Sequence, residues 1–110
     1  MKRRVVITGL GIVSPVGNDI DTAWDNLVNG RSGIDRITRF DPSPFNAQIA
    51  GEVKDFDVTQ YLSAKEAKTM DTFIHYGLAA TRMAWEMAGF QGPLAGEASH
   101  RAGAILGVGL

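Results

Sequence analysis

The sequence contains no cysteine. Within these residues that excludes a disulfide framework, a thiolate metal site and a cysteine nucleophile. Charge of one sign is also missing. There are 11 basic and 12 acidic side chains, for a net charge of -1, and both signs are spread along the whole chain. Neither half is basic enough to point to nucleic acid or anionic lipid as the main partner. No apolar run reaches the roughly 18 residues that span a bilayer. The basic start, "MKRR", is followed by too short an apolar stretch for a signal-peptide core. These absences lead to the expectation of a cytoplasmic protein without a membrane segment. Histidine is scarce, with only His75 and His100, which leaves no ligand set for a metal site.

What is present is an ordinary globular composition, 45% hydrophobic over 110 residues. That length suits one domain or part of a larger one. Residues 4–8, "RVVIT", read as a buried strand, because β-branched residues follow one another without alternation. Ile12 and Val13 prolong it until Ser14-Pro15 breaks it. A helix is expected from about Ile20 to Asn29, capped by Asn18 or Asp21. Its apolar face is Ile20, Ala23, Trp24, Leu27 and Val28, and Gly30 stops it. The stretch 31–53 reads as mostly irregular, with "AQIAGEV" as a short edge strand. Asp57 is placed to cap a short turn through Leu62.

"SAKE", Ser63 to Glu66, has the form of a capping box ahead of one long helix. Met70, Phe73, Ile74, Gly77, Leu78, Thr81, Trp85 and Ala88 form its broad apolar stripe. Gly77, Ala79, Ala80 and Ala84 permit close packing, and Gly89 ends it. The pattern predicts a largely buried helix. "RAGAILGVGL", residues 101–110, reads as a second buried strand. Strand, helices, strand is the signature of an α/β fold with a right-handed crossover. Two central strands cannot cover their own edges, so the reading is of part of a larger sheet.

The opening "VVITGLGIVSPVGN" tests one obvious function. A dinucleotide site needs G-x-G-x-x-G running straight into a helix, whose N-terminus holds the pyrophosphate. Here Ser14 replaces the third glycine and Pro15 delays any helix. The best-placed acid, Asp35, lies in an irregular segment. A Rossmann-type nucleotide-binding protein is the disfavoured alternative. Gly9 and Gly11 then serve a tight, crowded backbone turn.

Several stretches in the right order resemble one family. "RRVVITGLGIVSPVGN", Trp24 to Asp41 with its "SGIDRITRFD", "AGEVKDFD", "KEAKTMDTFIHYGLAA" and "RAGAILGVGL" resemble the amino-terminal part of β-ketoacyl-acyl-carrier-protein synthases, with the bacterial type II pattern nearest. The resemblance covers residues 1–110 as one amino-terminal portion of the synthase's N-terminal domain, with no second domain. It implies a thiolase-like fold in α-β-α-β-α layers, of which only part of the first half is present. It implies a homodimer, no cofactor, and acyl carrier protein as partner. The implied reaction is a decarboxylating condensation of an acyl-enzyme with malonyl-carrier-protein, run by a cysteine and two histidines. None of these three falls in this chain, because His75 and His100 match neither catalytic histidine.

Two contributions from these residues follow from the resemblance. Lys65 and Lys68 stand at the start of the long helix, where the family docks its acidic carrier, although Thr69 departs from the pattern. Val108, between Gly107 and Gly109, stands where the family lines its acyl-chain pocket, and type II enzymes often carry a larger aliphatic there. The alternative from another class is a non-catalytic, chain-length-factor-like partner subunit of the same fold. The deciding cysteine position lies beyond these residues.

Overall fold

The computed structural model describes residues 2–109. Helix α1, Ile20–Val28, is followed by strands β1, Ile34–Arg36, and β2, Ile49–Gly51. A 3₁₀ turn at Val58–Gln60 leads to helices α2, Ala64–Ala67, α3, Thr72–Met87, and α4, Glu97–His100. The strands form an antiparallel pair in which Ile34 faces Gly51 and Arg36 faces Ile49. "AQIAGEV" thus supplies an edge strand as expected, and part of the stretch read as irregular pairs with it.

Local chemistry explains most boundaries. Asp19, rather than Asn18 or Asp21, caps α1: its carboxylate accepts from the Thr22 amide at 2.8 Å. Those hydrogen bonds hold the Asp19 carboxyl below its ordinary pKa. Gly30 closes the helix at φ 65°, a left-handed geometry suited to glycine. Asp57 caps the 3₁₀ turn through the Thr59 amide at 2.9 Å. The Ser63 capping box forms in full.

That capping box starts only one turn of helix, so the expected single helix is divided. The chain tightens at residues 68–71, where Thr69 and Met70 amides donate to the Glu66 and Ala67 carbonyls. The Thr69 hydroxyl also donates to the Glu66 carbonyl at 2.8 Å. The His75 ring Nε2 donates to the Ala67 carbonyl at 2.9 Å. The Glu66 and Ala67 carbonyls at the end of α2 are therefore satisfied from α3 and the joint itself, and helix resumes beyond Asp71. Gly89, at φ 86°, ends α3 where the sequence places its stop.

Residues 4–8 and 101–109 are not strands among the described residues, and the expected parallel sheet is absent. A strand exists only through its neighbour's hydrogen bonds, and these two segments find none here. Their side chains are bare: Val5 is 92% and Ile105 99% exposed. Among the described residues the buried hydrophobic core is reduced to Ala23 and Ala79. The predicted burial of α3 is accordingly not met, and Phe73 and Met87 are about half exposed. The radius of gyration, 17.4 Å, exceeds the roughly 13 Å of a compact chain of this size.

A close backbone contact is made by the opening glycines. A Cβ on Gly9 would lie 2.0 Å from the Ala84 carbonyl oxygen, and one on Gly11 would lie 1.9 Å from that of Ala80. Residues i and i+2 of an extended chain are about 6.7 Å apart, and residues i and i+4 of a helix about 6 Å apart. The two spacings match, so residues 9–11 lie flat against α3. Neither glycine has positive φ. They serve close approach to a helix, not the tight turn the sequence reading assigned them. The tight turn falls at Ser14–Gly17, closed by reciprocal backbone bonds of 2.9 and 3.1 Å.

Candidate functional site

Helix α3 carries the concave surface that includes a sequence-predicted residue. Phe73, Ile74, Gly77, Leu78 and Thr81 form one side of a groove, and residues 106–109 form the other, enclosing about 390 Å³. The helical residues fall at i, i+1, i+4, i+5 and i+8, a single face of a helix. Val108 lies on the opposing wall and remains 58% exposed. The one hydroxyl at the groove is already used, since Thr81 donates to the Gly77 carbonyl at 2.7 Å. No titratable side chain lines the groove. It offers apolar contact, with no acid, base or nucleophile.

Lys65 and Lys68 are both exposed on the α2 turn, and Lys68 is the residue that ends it. Among the described residues neither lysine enters an ion pair; the two pairs present are Arg31–Asp25 and Arg82–Glu86. Glu66 lies between the lysines in sequence but turns back, accepting from the Ser63 hydroxyl at 2.6 Å and the Ser63 amide at 3.0 Å. The Ser63 hydroxyl bond, then the amide bond, hold the Glu66 carboxyl below its ordinary pKa. The carboxylate is tied to the helix start, and the two ammonium groups face solvent. The groove helix begins directly after this turn, through the His75–Ala67 bond.

His75 is half-buried and joins α2 to α3, a structural role. Because a carbonyl accepts, Nε2 carries the proton. His100 is exposed at the end of α4. Among the described residues, no group of three His, Cys, Asp or Glu side chains is placed to hold a metal ion. No helix is long and apolar enough to cross a membrane among the same residues. The nucleotide reading finds no support, since Gly9 and Gly11 are occupied by α3 and α1 begins only at Ile20.

A larger hollow of about 950 Å³ lies beside Tyr61, Trp85, Phe90 and Pro93. Several of its polar groups are committed. Arg82 donates to Glu86 and to the Gln60 carbonyl, and the Trp85 indole donates to the Gly92 carbonyl at 3.0 Å. The sequence reading missed both this hollow and the seat of residues 9–11 on α3. The second left a signal: Gly-x-Gly in one segment and Ala80-x-x-x-Ala84 in another are complementary small-residue spacings.

Residues 9–11 are seated on α3, and a neighbouring face of the same helix lines the apolar groove. The chain belongs to the family described as "Beta-ketoacyl synthase, N-terminal domain", whose model matches residues 2–110. It is 46% identical over 109 residues to a Vibrio harveyi protein named 3-oxoacyl-[acyl-carrier-protein] synthase 2, covering 99% of this chain and 26% of that protein. A Synechocystis protein of the same name is 52% identical over 83 residues, covering 76% of this chain and 20% of that one. Among solved structures, the ishigamide ketosynthase/chain length factor superposes with a TM-score of 0.74 at 37% identity. The match covers 83% of this chain and 23% of that one. The chain spans about a quarter of the length of the relatives it matches.

Proposed function

We infer that these residues serve as the amino-terminal part of a 3-oxoacyl-acyl-carrier-protein synthase that elongates fatty acyl chains. The observation that carries this reading is the nearly end-to-end likeness to proteins of that name. In this reading the segment belongs to a thiolase-like α-β-α-β-α fold working as a cytoplasmic homodimer. The bare segments 4–8 and 101–109 become central strands once neighbours pair with them. The reaction moves an acyl group from its carrier thioester to a cysteine thiolate. Malonyl-carrier-protein then loses carbon dioxide, and the resulting carbanion attacks the acyl thioester and expels the thiolate. Donors fixed around the carbonyl oxygens stabilise the tetrahedral intermediates.

This chain contributes no catalytic residue to that sequence. Lys65 and Lys68 act as part of the docking surface for the acidic carrier, supported by their exposure and their freedom from carboxylate partners among the described residues. Val108 acts as a wall of the acyl pocket, supported by its place on an apolar groove. A second reading is a chain-length-factor-like partner subunit, since the ishigamide ketosynthase/chain length factor is named for both kinds of subunit. Intact mass of the full-length protein after incubation with an acyl-carrier substrate separates the two. A mass increase equal to the acyl group supports the synthase. An unchanged mass, with condensation restored only by an added catalytic subunit, supports the partner reading.

A further inference from the structure

Gly77 differs from the glycines that meet packed elements. A Cβ on Gly9, Gly11, Gly17, Gly33 or Gly51 would come within 3 Å of a neighbouring atom, whereas one on Gly77 would meet nothing within 4 Å. Gly77 has no positive φ. It stands inside α3, where glycine weakens a helix relative to alanine. Neither backbone geometry nor packing against the described residues requires it there. Among the described residues it leaves open space, and that space opens on the groove it lines with Phe73, Leu78 and Val108. One helical turn away, Thr81 has its hydroxyl bonded to the Gly77 carbonyl, so the floor at this point presents no free polar side-chain group. From Phe73 to Thr81 the groove follows the helix for about 12 Å, at 1.5 Å per residue.

We propose that Gly77 is a specificity-determining residue that sets how long a linear acyl chain this groove accepts. The notch over its Cα admits chain atoms that any side chain would displace. The inference rests on Val108 lining the acyl pocket of a synthase. Its test compares kcat/KM of the full-length synthase for butyryl and tetradecanoyl carrier substrates in the parent, Gly77→Ala, Gly77→Leu and Val108→Phe. Gly77→Ala is expected to lower the tetradecanoyl value several-fold relative to butyryl. Gly77→Leu should lower it about tenfold or more, as added carbons in an apolar pocket do. Gly77→Ala should unfold at no lower temperature than the parent, because alanine favours the helix. Equal loss for both substrates, or a lower unfolding temperature in Gly77→Ala, marks a packing residue and overturns the inference. A changed chain preference in Val108→Phe with none in either Gly77 variant overturns it while leaving the pocket reading intact. No changed preference in Val108→Phe overturns both.

Discussion

Gly11→Ala is the sharpest probe of how the opening segment is seated. The new Cβ would stand 1.9 Å from the Ala80 carbonyl oxygen, 2.7 Å from its carbonyl carbon and 3.0 Å from its Cα. All three are backbone atoms of a hydrogen-bonded helix, so no side-chain rotation can clear them. Ordinary contact begins near 3.4 Å, so the segment has to retreat by about 1.5 Å. A gap of even 1 Å forfeits up to about half of each dispersion contact it opens. We expect a loss of about 3 kcal/mol, the upper end of overpacking costs, read as a lower urea midpoint of the purified protein at unchanged slope. Gly77→Ala is the control. The same atom is added to α3 in open space, and stability should rise by about 0.5–1 kcal/mol. Ala80→Gly should not rescue Gly11→Ala, because the obstacle is the carbonyl and not the methyl group. An undisturbed midpoint in Gly11→Ala, or full rescue by Ala80→Gly, would refute the close-approach account.

Reversing charge at both Lys65 and Lys68 should raise KM for acyl-carrier substrates several-fold and alter no other step; decarboxylation of a small malonyl thioester should be nearly unchanged. An unaltered KM would remove the docking role. Asp19→Ala should cost no more than about 1 kcal/mol, since the cap it loses is solvent-exposed, and helical circular dichroism should fall slightly. Acid should reproduce that loss: the folded Asp19 pKa lies below its ordinary 3.8, so its contribution is complete above that pH and disappears as pH falls through the lower folded value. Asp57 and Glu66, whose pKa values are lowered by hydrogen bonds to Thr59 and Ser63, titrate in the same direction. A thermal midpoint that rises on acidification through this range would contradict the capping geometry. Val108→Phe should block long acyl chains more than short ones, because bulk in a packed groove is not absorbed cheaply; equal loss at every length would point to misfolding.

Several features that depend on neighbours a few residues away were legible in the chain itself, although the cap of α1 falls on Asp19 and not on Asn18 or Asp21. The caps at Asp57 and Ser63 and the stop signals at Gly30 and Gly89 are short-range patterns, and each is found where the residues put it. The family was legible for a related reason: several ordered motifs survive in one continuous chain. Tertiary structure decided everything that needs a partner distant in sequence. The joint at residues 68–71 is bridged by His75 reaching back eight residues to the Ala67 carbonyl, a contact that no propensity encodes. The role of Gly9 and Gly11 depends on which backbone lies opposite them, and only the fold puts Ala80 and Ala84 there. Segments 4–8 and 101–109 have the composition of buried strands but are not strands here. Composition gives a strand its faces, and only a neighbouring chain gives it hydrogen bonds.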